Sequence, residues 1–242
     1  MASERASNLP TLLLAVECSQ RTGSVALLGA DGTVESTDFV SGGREEDPLL
    51  PAIDRLLERG GFVPGDLTAI AVSTGPGGFT GLRVAIATVK GIAEITGARV
   101  LAVPGAEVAA EGIRARLSTG DRVLVASAAK RETCWLTPLE CAEDAWQTLP
   151  GAGLHVIDPP SPAAVELARD AIVLADEHVP APGRSGLAEV AADLLEPRLD
   201  AVSCARVALG MFDRGVSEDP LALAPIYPRE PEAVRSWRER NR

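Results

Sequence analysis

The chain predicts an α/β fold on a mixed sheet, and three features carry that reading. Residues 11–40 hold three strand-like runs joined by polar turns, residues 47–103 alternate helical with strand patterns, and glycines and prolines stand at the junctions. Three antiparallel strands followed by strands linked through helices give the order β-β-β-α-β-α-β. That order calls for parallel as well as antiparallel pairing, with helices packed on the sheet.

The elements follow in order. TLLLAV (residues 11–16) is a short apolar run of the kind that forms a buried strand. Polar residues 17–23 turn the chain and residues 24–28 return as a strand. Asp31-Gly32 marks a second hairpin, and residues 33–40 then alternate. Pro48, behind Asp47 as an N-cap, opens a helix in which Leu49, Leu50, Ile53, Leu56 and Leu57 recur at helical spacing until Gly60-Gly61 stop it. Residues 67–73 read as a strand, residues 79–96 as a second helix, residues 100–103 as a strand, and Pro104-Gly105 as a boundary. Beyond it the pattern predicts a helix over 107–117, strands over 122–126 and 132–139, a helix over 163–170 and a strand over 172–175. A linker over 180–184 and helices over 188–199 and 201–212 complete it. The expected division is 11–104 and 105–228, with loose ends at 1–10 and 229–242.

Composition narrows the function. A formal charge of −11 and a pI near 4.7 weigh against direct nucleic-acid binding by the chain as a whole, because attraction to a phosphate backbone needs Lys and Arg. Cys18, Cys134, Cys141 and Cys204 are irregularly spaced without a CxxC, and His155 and His178 lie far apart. This offers neither a zinc motif nor a disulfide framework, and the thiols read as small buried hydrophobes in reducing surroundings. The first ten residues lack the apolar stretch of a signal peptide, and no run approaches the ~20 apolar residues of a membrane span, so a cytoplasmic location is expected.

Three segments could carry function. Ser73-Thr74-Gly75-Pro76-Gly77-Gly78-Phe79-Thr80-Gly81 joins a strand to a helix, and reads either as a tight structural turn or as an anion site at a helix N-terminus. The helix behind it carries Gly81, Ala85, Thr88 and Gly91 among Leu82, Ile86, Val89 and Ile92. One apolar stripe packs on the sheet; with the leucines of the preceding helix there is more apolar surface than one face requires, which favours an interface. The hairpin Glu17-Cys18-Ser19-Gln20-Arg21-Thr22-Gly23-Ser24 combines an acid, hydroxyls and a glycine. It reads as an ordinary polar turn or as a phosphate- and metal-facing one. Neither histidine stands in a nucleophile–base motif.

LLLAVECSQRTGSVALL, PLLPAIDRLLERGG and DLTAIAVSTGPGGFTGLRVAIATVKGIAEITGARVLAV together resemble the TsaB/YeaZ family over residues 12–108, and Asp219-Pro220 and Pro225-Ile226-Tyr227-Pro228-Arg229 resemble its closing motif. The resemblance implies the actin-like ATPase fold of the sugar kinase and actin superfamily: two related subdomains with mixed sheets flanked by helices, the second reduced. It implies a non-catalytic paralogue of TsaD, the transferase that places threonylcarbamoyl on the adenosine beside the tRNA anticodon.

Partners implied by the resemblance are TsaD, with TsaE joining the complex, a homodimer when alone, and tRNA only through the complex. It assigns the interface to the first two helices, here Leu49, Leu50, Ile53, Leu56, Leu57, Gly81, Leu82, Ala85, Ile86 and Val89. It makes Glu17, Ser19, Thr22, Gly75, Gly77, Gly78 and Thr80 vestigial phosphate loops, with no cofactor expected and ATP or ADP left open. TsaD holds its metal through two histidines four residues apart on a helix, a pair this sequence lacks, so no metal site is expected. Where the family usually has Asp-Thr-Ser in the first hairpin, this chain has Glu17-Cys18-Ser19, and Gly78 stands where the family usually has Ser. The alternative is a small-molecule kinase or ATPase of the same superfamily. The arginines Arg229, Arg235, Arg238, Arg240 and Arg242 read either as a tRNA contact within the complex or as a solvated tail.

Overall fold

The computed structural model describes residues 10–40, 47–129 and 132–227, together with Trp237, Arg238 and Arg240. The expectations for residues 1–9, 41–46 and 228–236, and for Arg242, lie outside the described residues.

The first sheet orders its strands β3-β2-β1-β4-β5: β1 Leu12–Glu17, β2 Thr22–Gly29, β3 Val34–Val40, β4 Ala69–Ser73 and β5 Arg99–Val103. β1 pairs antiparallel with β2 and parallel with β4, so the mixed sheet expected from the element order is the one that forms. Every residue of β1 is buried because both faces of the sheet are covered. Helices α1 Leu49–Gly60 and α2 Phe79–Thr96 cover one face over Leu14, Val16, Ile70 and Val72. Ala15, Ala26, Ala69 and Ala71 face the other way.

The second half repeats this plan. β6 Arg122–Ala128 pairs antiparallel with β7 Thr133–Cys141 and parallel with β10 Ile172–Ala175, and β11 Asp193–Leu195 extends the parallel side. β8 Trp146–Thr148 and β9 Gly153–Val156 pair beside one another on β7. α4 Pro162–Ala168 and α5 Ala181–Ala188 cover its outer face; at 7 and 8 residues, against 12 and 18 for α1 and α2, they make this half the reduced one.

Two helices fill the layer between the sheets. α3 Gly105–Glu111 packs on β6 and β7, whereas α6 Ala201–Asp213, from the end of the second half, packs on β1, β2, β4 and β5 of the first. Alanines on the sheet admit Ala201, Cys204, Ala205 and Ala208 of α6 closely, and one hydrophobic cluster therefore runs through both halves. Asp200 caps α6 by accepting from Ser203 N at 2.8 Å, and Ser24 Oγ accepts from Ala201 N at 2.8 Å, which fixes the helix start to β2.

Several expectations need correction. Residues 180–184 are not a linker: prolines at 180 and 182 start α5, as suits a first helical turn. The helical pattern over 188–199 gives way to β11, because pairing with β10 satisfies its backbone. The helix expected over 107–117 is α3 followed by a separate 3-10 turn at Arg114–Arg116. The regular part of α1 starts at Leu49, one residue later than expected, and the Asp47 carboxylate accepts from Leu49 N at 2.9 Å, the bond expected of a capping side chain.

Two glycines of α2 separate geometry from propensity. A Cβ on Gly81 would run into the Cys18 carbonyl oxygen, whereas one on Gly91 would meet nothing within 4 Å. Gly81→Ala is expected to destabilise the chain by about 1–3 kcal/mol through overpacking. Gly91→Ala is expected to stabilise it by up to about 1 kcal/mol. Urea unfolding of both variants checks the pair, and equal shifts would refute the packing argument.

Candidate functional site

The C-terminal ends of β1, β4, β6 and β10 converge on a cleft between the halves, where an open α/β sheet usually presents a ligand site. It comprises a cavity of about 1200 Å³ and an adjoining one of about 250 Å³; Ser19, Gln20, Gly78, Asp176 and His178 line both. The two sequence-predicted loops do meet here. Gly78 N donates to Ser19 O at 2.7 Å, and a Cβ on Gly77 would stand 2.5 Å from that of Ser19. The glycines thus let the start of α2 lie directly against the β1–β2 hairpin. Thr22 and Thr80 line the larger cavity, while Gly75 is buried with φ 84° and its carbonyl accepts from Gly105 N at 2.8 Å.

Beneath the hairpin lies a buried polar cluster. Glu17 is wholly buried, and its Oε1 accepts from Ser19 N at 2.5 Å. Its Oε2 and the hydroxyls of Ser19 and Ser73 are buried beside one another. Burial pushes the Glu17 carboxyl above its ordinary value; the nearby Ser19 and Ser73 hydroxyls oppose this, and the charge of Asp200 adds to it. Burial likewise pushes Cys18 up to about 12, helped by the charges of Glu17 and Asp47, and Cys204 is raised by burial and by Glu17. Neither thiol is a ready nucleophile. Among the described residues no group of three or more His, Cys, Asp or Glu is placed to hold a metal ion.

The predicted interface residues need a correction. Leu49, Ile53, Leu56, Leu57, Leu82, Ala85, Ile86 and Val89 are buried in the core beneath α1 and α2, because helical spacing turns them toward the sheet. Gly81 is pressed on Cys18, and of the ten only Leu50 is exposed, at 58%. The outward face of α2 is instead Ala87, Gly91 and Ile95, with Thr88 half-buried. The closing motif also has a visible role. Leu223 is buried among the α1 and α2 contacts, Ile226 N donates to Thr74 O at 2.8 Å, and the Tyr227 ring lies 5.3 Å from that of Phe79. Pro228 and Arg229 fall outside the described residues.

Sequence reading missed the far wall of the cleft, formed by Asp176, Glu177 and His178 after β10 and by the stretch from Glu196 to Asp200 after β11. Its only sequence signal is position at a strand's C-terminal end, and that needed β11 to be read as a strand. His155, by contrast, lies away from the cleft, its Nε2 2.9 Å from the Gly151 carbonyl oxygen.

The raised Glu17 value has a defined sign. An acid that holds its proton more tightly when folded contributes stability that is full below its ordinary pKa and is lost as pH rises toward the folded value. Glu17→Gln is therefore expected to match the parent near pH 4 and to exceed it at pH 8, as read by denaturant midpoint. A variant equally destabilised at both pH values would refute this account.

Comparisons with known proteins agree with this architecture. The profile of a family described as "TsaD: tRNA N6-adenosine threonylcarbamoyltransferase" matches residues 45–158. The tRNA threonylcarbamoyladenosine biosynthesis protein TsaB of Escherichia coli (strain K12) is 33% identical over 81 residues, 34% of this chain. That match spans 35% of the E. coli protein, about a third of its length. YeaZ from Pseudomonas aeruginosa superposes with a TM-score of 0.72 at 25% identity, over 90% of this chain and 99% of that one. A second Pseudomonas aeruginosa structure, described as similar to peptidase YEAZ, gives 0.75 at 24% identity over 90% and 100%. The chain thus shares the fold of YeaZ over most of its length, and part of its sequence is similar to TsaB.

Proposed function

We propose that this chain is a non-catalytic subunit of tRNA threonylcarbamoyladenosine synthesis, which binds a TsaD-type threonylcarbamoyltransferase through the outward faces of α1 and α2. The observation that carries the reading is the second stripe of α2. Ala87, Gly91 and Ile95 recur every four residues, point away from the core and are exposed, Ile95 by 86%. Small side chains at that spacing let another helix come close, and the exposed Leu50 of α1 adds apolar area. An exposed glycine in mid-helix carries a propensity cost of about 1 kcal/mol with no atom of the monomer within 4 Å to require it, which suits a contact made only on assembly.

In this reading the same face closes a homodimer when the transferase is missing, a TsaE-type protein joins the complex, and tRNA is met through the partner. The charge of −11 supports the last point, since counterion release favours basic surfaces. Catalysis belongs to the partner: burial raises the thiols of Cys18 and Cys204, which makes them poor nucleophiles.

Ala87→Arg tests the interface on an exposed position, whereas Ala85→Arg would place a charge at a fully buried one and unfold the chain. Mixed with the TsaD-type protein of the same organism, the parent is expected to elute as a stable complex by size-exclusion chromatography with light scattering. Ala87→Arg is expected to weaken it by about thirty-fold or more, as for a central interface position. A folded Ala87→Arg variant that still forms the complex would overturn the placement.

A further inference from the structure

A stable protein–protein contact buries roughly 800 Å² on each partner, more than the small residues of α2 supply. Ala87 and Gly91 offer little area, and beyond Leu50 the exposed positions along α1 include the charged Asp54, Arg55, Glu58 and Arg59. The missing apolar area has a source on the other side of α2.

Followed toward the start of the helix, the row Ile95, Gly91, Ala87 continues at the same four-residue spacing to Arg83 and Phe79, both exposed. Tyr227 stacks on Phe79 with ring centres 5.3 Å apart, and the Arg83 guanidinium lies 5.1 Å from the same ring. Tyr227 comes from the far end of the chain. After α6, residues 216–227 reach β5, at the edge of the first sheet opposite to the β2 and β3 strands that α1 covers, where Glu218 N donates to Val100 O at 2.8 Å. They then run along α2, held by the Lys90 bond to Leu221 O at 3.2 Å, by the buried Leu223 and by the bond from Ile226 N to Thr74 O at 2.8 Å. Leu221 stays 83% exposed on this fixed backbone, and Ile226 and Tyr227 are exposed beside it. Aromatic and arginine side chains already held in place lose little freedom on binding, which is what makes such groups strong interface anchors.

We propose that the docking face for the TsaD-type partner is centred on α2 and extends onto this closing segment, with Phe79, Arg83 and Tyr227 as its anchor. This rests on the reading of α2 as the docking helix. The partner meets the anchor with an apolar patch bordered by a carboxylate. Among the described residues Arg83 is in no ion pair, so its guanidinium is free to take that carboxylate in a charge-assisted bond. A second copy of the chain fits less well. An antiparallel two-fold contact crossing at Ala87 and Gly91 sets Phe79 and Tyr227 beside the exposed Gly97 and Arg99 of the copy, which give the rings no apolar counterpart.

The test is calorimetric titration of the full chain with the TsaD-type protein of the same organism. Tyr227→Ala and Arg83→Ala are each expected to weaken the complex by roughly tenfold or more, the scale of an anchor position, with the urea midpoint near that of the parent. Tyr227→Phe is expected to keep the parent affinity, because the ring makes the contact. Leu221→Asp, at an exposed side chain, is expected to weaken binding as well and keeps the test open should Tyr227→Ala fold poorly. Absence of a complex with the parent overturns the docking reading itself, and this extension with it. A complex broken by Ala87→Arg but left at parent affinity by Tyr227→Ala, Arg83→Ala and Leu221→Asp overturns the extension alone. So does loss of self-association in these variants, by light scattering, with unchanged affinity for the TsaD-type protein, which would make a second copy the occupant.

Discussion

The layer shared by the two sheets is the constraint on which the rest of this molecule depends. α6, from the end of the chain's second half, packs on the first sheet, while α3, at the junction of the halves, packs on the second. Ala15, Ala26, Ala69 and Ala71 keep that sheet face shallow enough for α6 to approach, and Val123, Val125, Leu139 and Trp146 close the same cluster from the other sheet. Neither half could bury this surface alone, so exchanging helices commits the two halves to one core. The cleft is the open end of that arrangement, at the strand termini the shared layer does not cover.

The contact between the β1–β2 hairpin and the start of α2 follows from the same geometry. With β1 buried on both faces, Glu17 at its end cannot reach solvent, and the glycines at 77, 78 and 81 bring α2 onto the backbone of Cys18 and Ser19. The loop's form is thus explained by close backbone approach, whichever ligand the cleft takes. The carboxyl below it sits instead among the buried hydroxyls of Ser19 and Ser73.

Two surfaces are therefore separable. One is the outward side of α1 and α2, where Leu50, Ala87, Gly91 and Ile95 stand among the exposed charges of Asp54, Arg55, Glu58, Arg59 and Glu94, on the far side of the first sheet from the shared layer; the other is the cleft between the halves. The closing segment lies near both. It runs along α2, where Lys90 Nζ donates to Leu221 O at 3.2 Å, and ends with Tyr227 on Phe79 at the mouth of the cleft. Arg83 extends this stack, its guanidinium 5.1 Å from the Phe79 ring.

The first half of the fold was legible because its signals are local. Alternation and turn residues mark β1 to β3, helical spacing marks α1 and α2, and Phe79–Thr96 forms over the same residues that the pattern predicts. The glycine loop and hairpin were likewise recognisable as a pair of special turns. What local pattern could not supply was direction: the apolar residues of α1 and α2 were taken for a partner surface, yet all but Leu50 and Gly81 are turned fully into the core. In the second half the short strands β8, β9 and β11 exist through pairing, with too few residues to show a period of their own. The sequence by itself determined the fold class and the two loops, since propensity, turn chemistry and hydrophobic period act between near neighbours. Only the tertiary structure decided which helix face is free, which residues line the cleft and that Glu17 is buried, because burial and proximity depend on residues far apart in the chain.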